Sequence, residues 1–578
     1  MLLDKSSTPK LIHLVELFDR YLPQRYPLFF GKDAKHPKHR LKDFKVIHDS
    51  LWGTNRYSWI ELAIIDSPLF QRIRYIHQTG LAFLVYPTAH HTRFEHSIGV
   101  VTLASRIFDA LFQRYPEKFK EITEVVYHEP NDVPRIFELL RAELRIACLL
   151  HDIGHSMHSH ASEFVYGNLP LLVEATQELG QFAGEKKGAG EVISFCVSQT
   201  ESIRELITRA GTKVQKPELR ERQLNFDNIS LLIIGRSFHP LLQFMGSIVS
   251  GPCDADKLDY LARDSNFAGL PLKYDLERFL YTIGLSKGPI ADTDQKLTHI
   301  YEKTKVKVTV RKTGQHPVLD TLQLRPPKQL ISTIEQITIC KFMLFSYIYH
   351  HKKVRAAEGM LIKLLGRMVE IWRKEKLDDD QILLKFMDLK DADLENPEFL
   401  TNSDIIICEY TSRIVDRLLP RMVFEFVSNN RSKAEAKLKT FGQRLAEPKL
   451  GPIDPKQKTI KEFEECLRIE LDKQLPQLKG QNTLLQTGVW LDVPKAPSFE
   501  TTESLLIGDE TPLPLKVIFP IKPWVDGYEA NRYYIRVFAF SEYMPQAKIA
   551  VEATLKTIIG LSDDELASTK EFFAPGIG

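Results

Sequence analysis

Cysteine is scarce in this chain and scattered. Six residues (Cys148, Cys196, Cys253, Cys340, Cys408 and Cys466) occur in 578, with no C-x-x-C pair. That spacing argues against a disulfide framework and a cysteine-ligated zinc site, and leaves each thiol as a small buried residue in a reducing compartment. Long apolar runs are missing as well. No segment approaches the roughly 18 consecutive apolar residues of a membrane span. The opening stretch carries Asp4, Lys5 and Pro9 where a signal peptide needs an apolar run. The expectation is a cytoplasmic protein with no membrane partner. Net charge is nearly absent too: 77 Lys and Arg against 75 Asp and Glu leave +2. No global field draws such a chain to nucleic acid, so any basic patch is local and nucleic acid is a disfavoured partner. Internal repeats and low-complexity tracts are not found.

What is present is a globular composition, 43% hydrophobic and 26% charged, in a length that calls for two or three lobes. Residues 1–43 carry one amphipathic pattern (Leu11, Leu14, Leu17, Phe18, Tyr21) and then a basic, proline-containing stretch from Lys32 to Lys42. They read as a peripheral helix and linker. From about 44 to 425 the helical period dominates. Ile98, Val101, Ala104, Ile107, Phe108 and Leu111 form one stripe; Leu140, Leu144, Ala147 and Cys148 form another; Leu361, Leu364, Leu365 and Met368 form a third. Alternation at Val306–Val310 suggests a hairpin arm. Residues 428–461 are Lys-rich with Pro and Gly, a lobe boundary. Beyond them, apolar runs at Leu515–Phe519 and Tyr533–Phe540 read as strands and Ala547–Ile559 as a helix. The expected fold is mainly α, with a small α+β lobe over 428–578.

The chemistry concentrates in Leu149-Leu150-His151-Asp152-Ile153-Gly154-His155-Ser156-Met157-His158-Ser159-His160. His151, Asp152 and His155 continue the steps of Leu144, Ala147 and Cys148, so the His-Asp pair extends a buried stripe. Burying an imidazole and a carboxylate without partners costs several kcal/mol, roughly, and a metal removes that cost for both. Gly154 permits a close approach or a bend. The dipeptide alone is weak: with 18 histidines, about one His-Asp pair is expected by chance. A second, His48-Asp49, has no stripe and no trailing histidines, and reads as a loop feature. Two further stretches supply the context. His90-His91-Thr92-Arg93-Phe94-Glu95-His96-Ser97-Ile98-Gly99-Val100 opens the first long stripe, and Asp254-Ala255-Asp256-Lys257-Leu258-Asp259-Tyr260-Leu261-Ala262-Arg263-Asp264 reads as an acidic helix start.

Taken in order, H-x-R-F-E-H-S-x-G-V, L-x-H-D-x-G-H and D-x-D-K-x-D-Y-x-x-R-D resemble the HD-domain deoxynucleoside triphosphate triphosphohydrolases. The likeness is strongest to the branch of the vertebrate sterile-alpha-motif-and-HD-domain enzymes, from about Lys45 to about Lys352 and again in the tail. The resemblance implies a helical HD metallophosphohydrolase core over 44–427. His96, His151, Asp152 and Asp256 would ligate one divalent transition metal. The N/O donor set does not choose among Fe, Mn and Zn, and Mg²⁺ can accompany the substrate phosphates.

By the same resemblance, a dNTP, dGTP among them, is split at the α-phosphorus into deoxynucleoside and triphosphate. His155, His160 and Glu163 are the catalytic candidates, with His160 as general acid to the departing 5′ oxygen. Arg93, Tyr260, Asp264, Tyr349 and Lys352 would line the phosphates and sugar, and Gln78 the sugar and base. Lys45, Val46, Asp66, Gln71 and Arg74 resemble a guanine-nucleotide activator site, which in the family accompanies assembly into dimers and tetramers. Asp66 ahead of Pro68 also reads as an ordinary helix cap.

The chain departs from the family pattern at three places. Gly190 stands where a relay histidine is usual, Glu163 where the vertebrate branch has Asp, and Glu425 where a Lys is expected beside the regulatory-like Arg417 and Arg421. His158 matches none of the family's catalytic histidines. Two rival functions stay open: an HD phosphodiesterase or nuclease on nucleic acid or a cyclic dinucleotide, and a nucleotide-gated regulatory protein with weakened catalysis.

Overall fold

The computed structural model describes residues 2–31, 34, 44–211, 224–289, 310–313, 316–396, 404–427, 436–438, 440–441, 455–479, 482–494, 506–508, 513–518, 534–569 and 572–573. The chain forms two compact units. One comprises Met1–Leu344, Trp372–Asp391 and Ser504–Phe519; the other comprises Phe345–Ile371, Ala392–Glu503 and Pro520–Gly578. The Lys32–Lys42 stretch apart from Ala34, most of 428–461, Val306–Thr309, Phe519–Trp524 and Tyr533 lie outside the described residues.

The first unit is helical. Helix α1 (Pro9–Arg25) starts on a proline at its first position and buries Leu11, Leu14, Leu17 and Phe18. Strands β1 (Phe44–Asp49) and β2 (Gly53–Ser58) make an antiparallel hairpin with Asp49 opposite Gly53. His48-Asp49 therefore ends a strand instead of lying in a loop. The Asp49 carboxylate accepts from the amides of Leu51 (2.8 Å) and Trp52 (2.9 Å), which turns the chain. Ser58 and Glu61 then box the start of α2 (Trp59–Ile65).

The helices that carry the three strings come next. Helix α3 (Arg93–Arg114) starts on a capping box, with the Thr92 amide donating to Glu95 Oε2 at 2.7 Å. The stripe read from its sequence is buried, but so are Val100 and Leu103 on other faces. Helices α4 (Val133–Leu150) and α8 (Ala255–Phe267) both pack on it, and a helix enclosed this way is apolar nearly all round. Between α4 and α8 run α5 (His160–Tyr166), α6 (Ala189–Ser198) and α7 (Phe226–Ile233). Asp254 caps α8 by accepting from the Lys257 amide at 2.6 Å. A small antiparallel sheet, β3 (Leu285–Pro289), β4 (Val310–Thr313) and β5 (His316–Leu324), has β5 in its centre.

The second unit holds most of α9 (Lys352–Lys374), which buries Leu361, Leu364, Leu365 and Met368. Strands β6 (Arg421–Val427), β7 (Trp490–Asp492) and β8 (Tyr534–Ala539) form an antiparallel sheet with β8 central. Helices Pro455–Gln474 and Met544–Thr554 pack with it around Phe424, Phe426, Phe463, Leu467, Val537 and Val551. This is the small α+β lobe of a mainly α protein. The run at Leu515 is one turn of helix (Leu515–Ile518), not a strand; five residues of alternating character fit either period. Cys148, Cys196, Cys253 and Cys340 are buried, Cys408 and Cys466 half-buried, and none of the six forms a disulfide. Among the described residues, no helix is long and apolar enough to cross a membrane.

Candidate metal centre

Three helix ends meet at one point of the first unit. His96 sits in the first turn of α3, His151 caps the C-terminus of α4, and Asp256 sits in the first turn of α8. One ligand atom from each lies within 4.8 Å of the other two. His96 Nε2 is 3.0 Å from Asp256 Oδ1, and His151 Nε2 is 3.9 Å from the same oxygen. Asp152 borders the group, with Oδ2 3.9 Å from His96 Nε2. Its carboxylate also pairs with Arg93 and, at 3.2 Å, with His155 Nε2. Burial would raise the Asp152 pKa, but Arg93, His155 and His151 hold it well below the carboxylate range.

Each imidazole has one nitrogen committed elsewhere. His151 Nδ1 donates to the Cys148 carbonyl at 2.7 Å, and its buried Nε2 has no hydrogen-bond partner. His96 Nδ1 donates to Asp259 Oδ2 at 2.8 Å. This pattern turns both Nε2 atoms toward Asp256, where each could serve a metal once it carries no proton; until then His96 Nε2 donates to Asp256. The mixed N/O set could hold a divalent metal, and the orphaned Nε2 of His151 is an atom such an ion would satisfy. Burial lowers the His96 pKa, but hydrogen bonds and charge from Asp256 and Asp259 outweigh it and push it up to about 10.

Asp259 was missed at the sequence level as a functional residue. It accepts from Arg263 at 2.8 and 2.9 Å and from the Trp52 indole, while Arg263 also reaches Asp49 at 2.8 Å. The second His-Asp dipeptide thus lends its Asp to a buried chain behind His96. The signal was local: Asp259 and Arg263 lie four apart on one helix face.

Beside the metal group lies a second cluster, His155, His160 and Glu163. His160 Nδ1 donates to Glu163 Oε2 at 2.8 Å, and His155 Nδ1 lies 3.8 Å from the same oxygen. The Gly190 amide donates to Glu163 Oε1 at 2.9 Å. Burial alone would raise the Glu163 pKa, but His160, His155 and the Gly190 amide hold it well below the usual range. Desolvation would lower the His160 pKa, and Glu163 more than reverses that, so it is raised. The His160 side chain stays 77% exposed, placing an acid-competent group at solvent. Gly190 has a steric reason: a Cβ there would come within 2.8 Å of His155 Cε1. Gly154 has the matching one, since its Cβ would lie 2.1 Å from the Gly190 carbonyl oxygen.

Arg93 is 2% exposed. Its Nε donates to Ser159 Oγ at 2.9 Å, one terminal nitrogen pairs with Asp152, and the other is buried without a partner. Gln78 is half-buried, with an unpartnered buried Oε1. Tyr260 is half-buried. Asp264 is buried and accepts from His91 Nε2 at 2.7 Å. Tyr349, half-buried and edge-on to Phe345, and the exposed Lys352 belong to the second unit.

Of the activator-like residues, Lys45 Nζ donates to Asp66 Oδ2 at 3.2 Å, Arg74 Nε donates to Gln71 Oε1 at 2.7 Å, and Val46 is exposed. Gln71 Nε2 donates to the Ile65 carbonyl at 2.6 Å, and the Arg74 guanidinium lies 3.3 Å from the centre of the Phe94 ring. Ser67, not Asp66, caps the turn that follows; its hydroxyl accepts from the Phe70 amide at 3.3 Å, and Asp66 ends α2 instead. Glu425 faces Arg536 across β6 and β8 and accepts from it at 2.8 Å. A third cluster, His77, His158 and Asp391, was not anticipated.

Residues 93–207 match the HD domain model, so the chain carries an HD domain. Over 251 residues it is 32% identical to the deoxynucleoside triphosphate triphosphohydrolase SAMHD1 of Bos taurus, covering 41% of this chain and 38% of that one. It is 28% identical to an uncharacterized protein of Methanocaldococcus jannaschii over 348 residues, 59% of this chain and 55% of the relative. The chain thus spans about half or less of the length of these curated relatives. The crystal structure of a hypothetical protein from Aquifex aeolicus superimposes with a TM-score of 0.53 at 19% identity, covering 88% of this chain and 100% of that one, a likeness of fold.

Proposed function

We propose that the protein is a metal-dependent dNTP triphosphohydrolase that releases deoxynucleoside and intact triphosphate, with dGTP among its substrates. The observation that carries this reading is the buried, unpartnered guanidinium nitrogen of Arg93 beside the His96–His151–Asp256 group. A cation donor next to a metal-competent cluster suits a phosphate anion.

His96, His151, Asp152 and Asp256 would hold the ion. A divalent ion held there would supply Lewis acidity and would lower the pKa of a water from ~15.7 toward about 7. Arg93 binds the phosphate that is attacked. His160, whose hold on a proton Glu163 strengthens, gives its proton to the 5′ oxygen of the leaving deoxynucleoside. The Gly190 amide holds Glu163 in place, so this pair works without a histidine at position 190. Tyr260 and Asp264 are assigned to the triphosphate and sugar, and Gln78 to the sugar and base; for Tyr349 and Lys352 the same assignment rests on the sequence strings alone.

Lys45, Val46, Asp66, Gln71 and Arg74 are proposed to take a second, activating nucleotide in a homo-oligomer. The Lys45–Asp66 and Gln71–Arg74 contacts support treating them as one patch. A cytoplasmic location is part of the same reading.

The test is incubation of the metal-loaded protein with each dNTP, with and without a second nucleotide, followed by separation of products. Deoxynucleoside plus triphosphate is the expected pair. Pyrophosphate plus monophosphate, or cleavage of polynucleotide alone, would sink the proposal. Inactivity with retained dGTP binding would point to a regulatory protein. Changing His151 and Asp152 to Ala should abolish metal binding at this centre and turnover together.

A further inference from the structure

His158 has no role in the chemistry above, yet it is 3% exposed and neither ring nitrogen makes a well-formed hydrogen bond, the Gly80 backbone and the Asp391 carboxylate being its polar neighbours. An imidazole buried in that way is costly unless something satisfies it. Its backbone is also held at φ 49°, followed by Ser159 at φ 57°, a left-handed pair that non-glycine residues avoid. The ring is aimed at a carboxylate: Nδ1 lies 3.4 Å from Asp391 Oδ2. The same oxygen lies 2.5 Å from His77 Nδ1, and the His77 and His158 rings stack nearly parallel at 6.3 Å.

We propose that His77, His158 and Asp391 form a second metal site, separate from the His96–His151–Asp256 group, for a divalent transition metal of the zinc class. Two imidazoles and one carboxylate leave a fourth position for water in a tetrahedral shell. The ligand atoms lie within 4.8 Å of one another, and spacings of a little over 3 Å are what bonds of about 2.0–2.1 Å produce at tetrahedral angles. The 2.5 Å contact is a hydrogen bond that metal entry replaces, with release of the His77 proton.

The surroundings are those of a supported site. His90 Nδ1 lies 3.3 Å from the other nitrogen of His77, as an outer-shell acceptor would. Asp391 is held by the amides of His77 (2.7 Å) and His158 (2.6 Å). Three segments far apart in sequence are thereby gathered on one carboxylate. The site also touches the machinery beside it: Ser159 Oγ donates to the His77 carbonyl at 2.5 Å and accepts from Arg93 Nε at 2.9 Å. An ion on His77 and His158 would stiffen the segment that orients Arg93.

Crystals of the full-length wild-type protein, grown with Zn²⁺ and measured across the zinc edge, test this directly. An anomalous peak between His77, His158 and Asp391 is expected. A structure with zinc at the first centre, or nowhere, and no peak here would overturn the proposal. Bound zinc per chain gives the second measure. His151→Ala/Asp256→Ala should retain one ion, and adding His77→Ala should remove it. Retention of that ion after His77→Ala would also overturn the proposal, leaving the cluster as a carboxylate staple between two backbones. Neither readout depends on turnover, so it stands or falls apart from the dNTP reading.

Discussion

The ring of His155 lies on the α-carbon of Gly190, so that a Cβ at 190 would sit 2.8 Å from Cε1 and 2.9 Å from Nε2. The amide of the same glycine holds Glu163 at 2.9 Å. One residue therefore sets the space for one member of the cluster and the position of another.

Gly190→Ala should displace His155 and loosen Glu163 while leaving the helix intact. The added methyl suits a helical position, so circular dichroism should change little, while the clash with buried His155 should lower stability by about 1–3 kcal/mol. Turnover should fall on the order of 10²-fold, the lower range for losing a positioned proton donor. A Gly190→Ala protein with wild-type kcat would show that the His155–Glu163 arrangement is not used.

Asp259 acts through His96, whose Nδ1 it accepts at 2.8 Å. Asp259→Asn keeps the shape and removes the charge. Metal affinity should fall by about 10–100-fold, with kcat recovering at saturating metal. A metal titration matching wild type would remove Asp259 from this positioning role.

Glu163 raises the His160 pKa. A general acid works only while protonated, so turnover is lost as pH rises through that pKa. In Glu163→Gln the charge is gone, and the alkaline limb of the kcat profile should move to lower pH. An unmoved limb, with only the plateau reduced, would assign the acid to another group.

Glu143 gives a stability prediction remote from the metal centre. It is fully buried on α4, and burial pushes its pKa from 4.5 up to about 7, against the hydrogen bonds from Asn225 and Asn228. Below the unfolded value both states are protonated. Between about 4.5 and 7 the folded state binds the extra proton, so stability falls as pH rises; above the folded value the loss is complete. At ~1.4 kcal/mol per unit the total is about 3 kcal/mol. Denaturant titrations of wild type and Glu143→Gln from pH 5 to 8 should therefore diverge, with the variant lacking this loss. A constant difference between them would show that Glu143 is ionised throughout.

Much of the candidate centre is legible in the sequence. His96, His151 and Asp256 each stand at a helix end with its own local signature: a Thr92–Glu95 box, an apolar stripe running out at Leu150, and an Asp254 cap. Caps and stripes are properties of a few neighbouring residues, so they survive in the sequence. The run at Leu515 was too short for its period to be read, and Asp66 was assigned a cap that Ser67 supplies.

The amino-acid sequence by itself determined a mainly α chain with an HD domain and the order of its metal-competent residues, because helical periodicity, capping and short motifs are encoded within a few turns. Tertiary structure alone decided that Gly190 makes room for His155, that Asp49 and Arg263 stand behind Asp259 and His96, and that Asp391 meets His77 across 314 residues. Such contacts depend on how whole helices pack in three dimensions, and no local spacing records which distant carboxylate a buried imidazole will face.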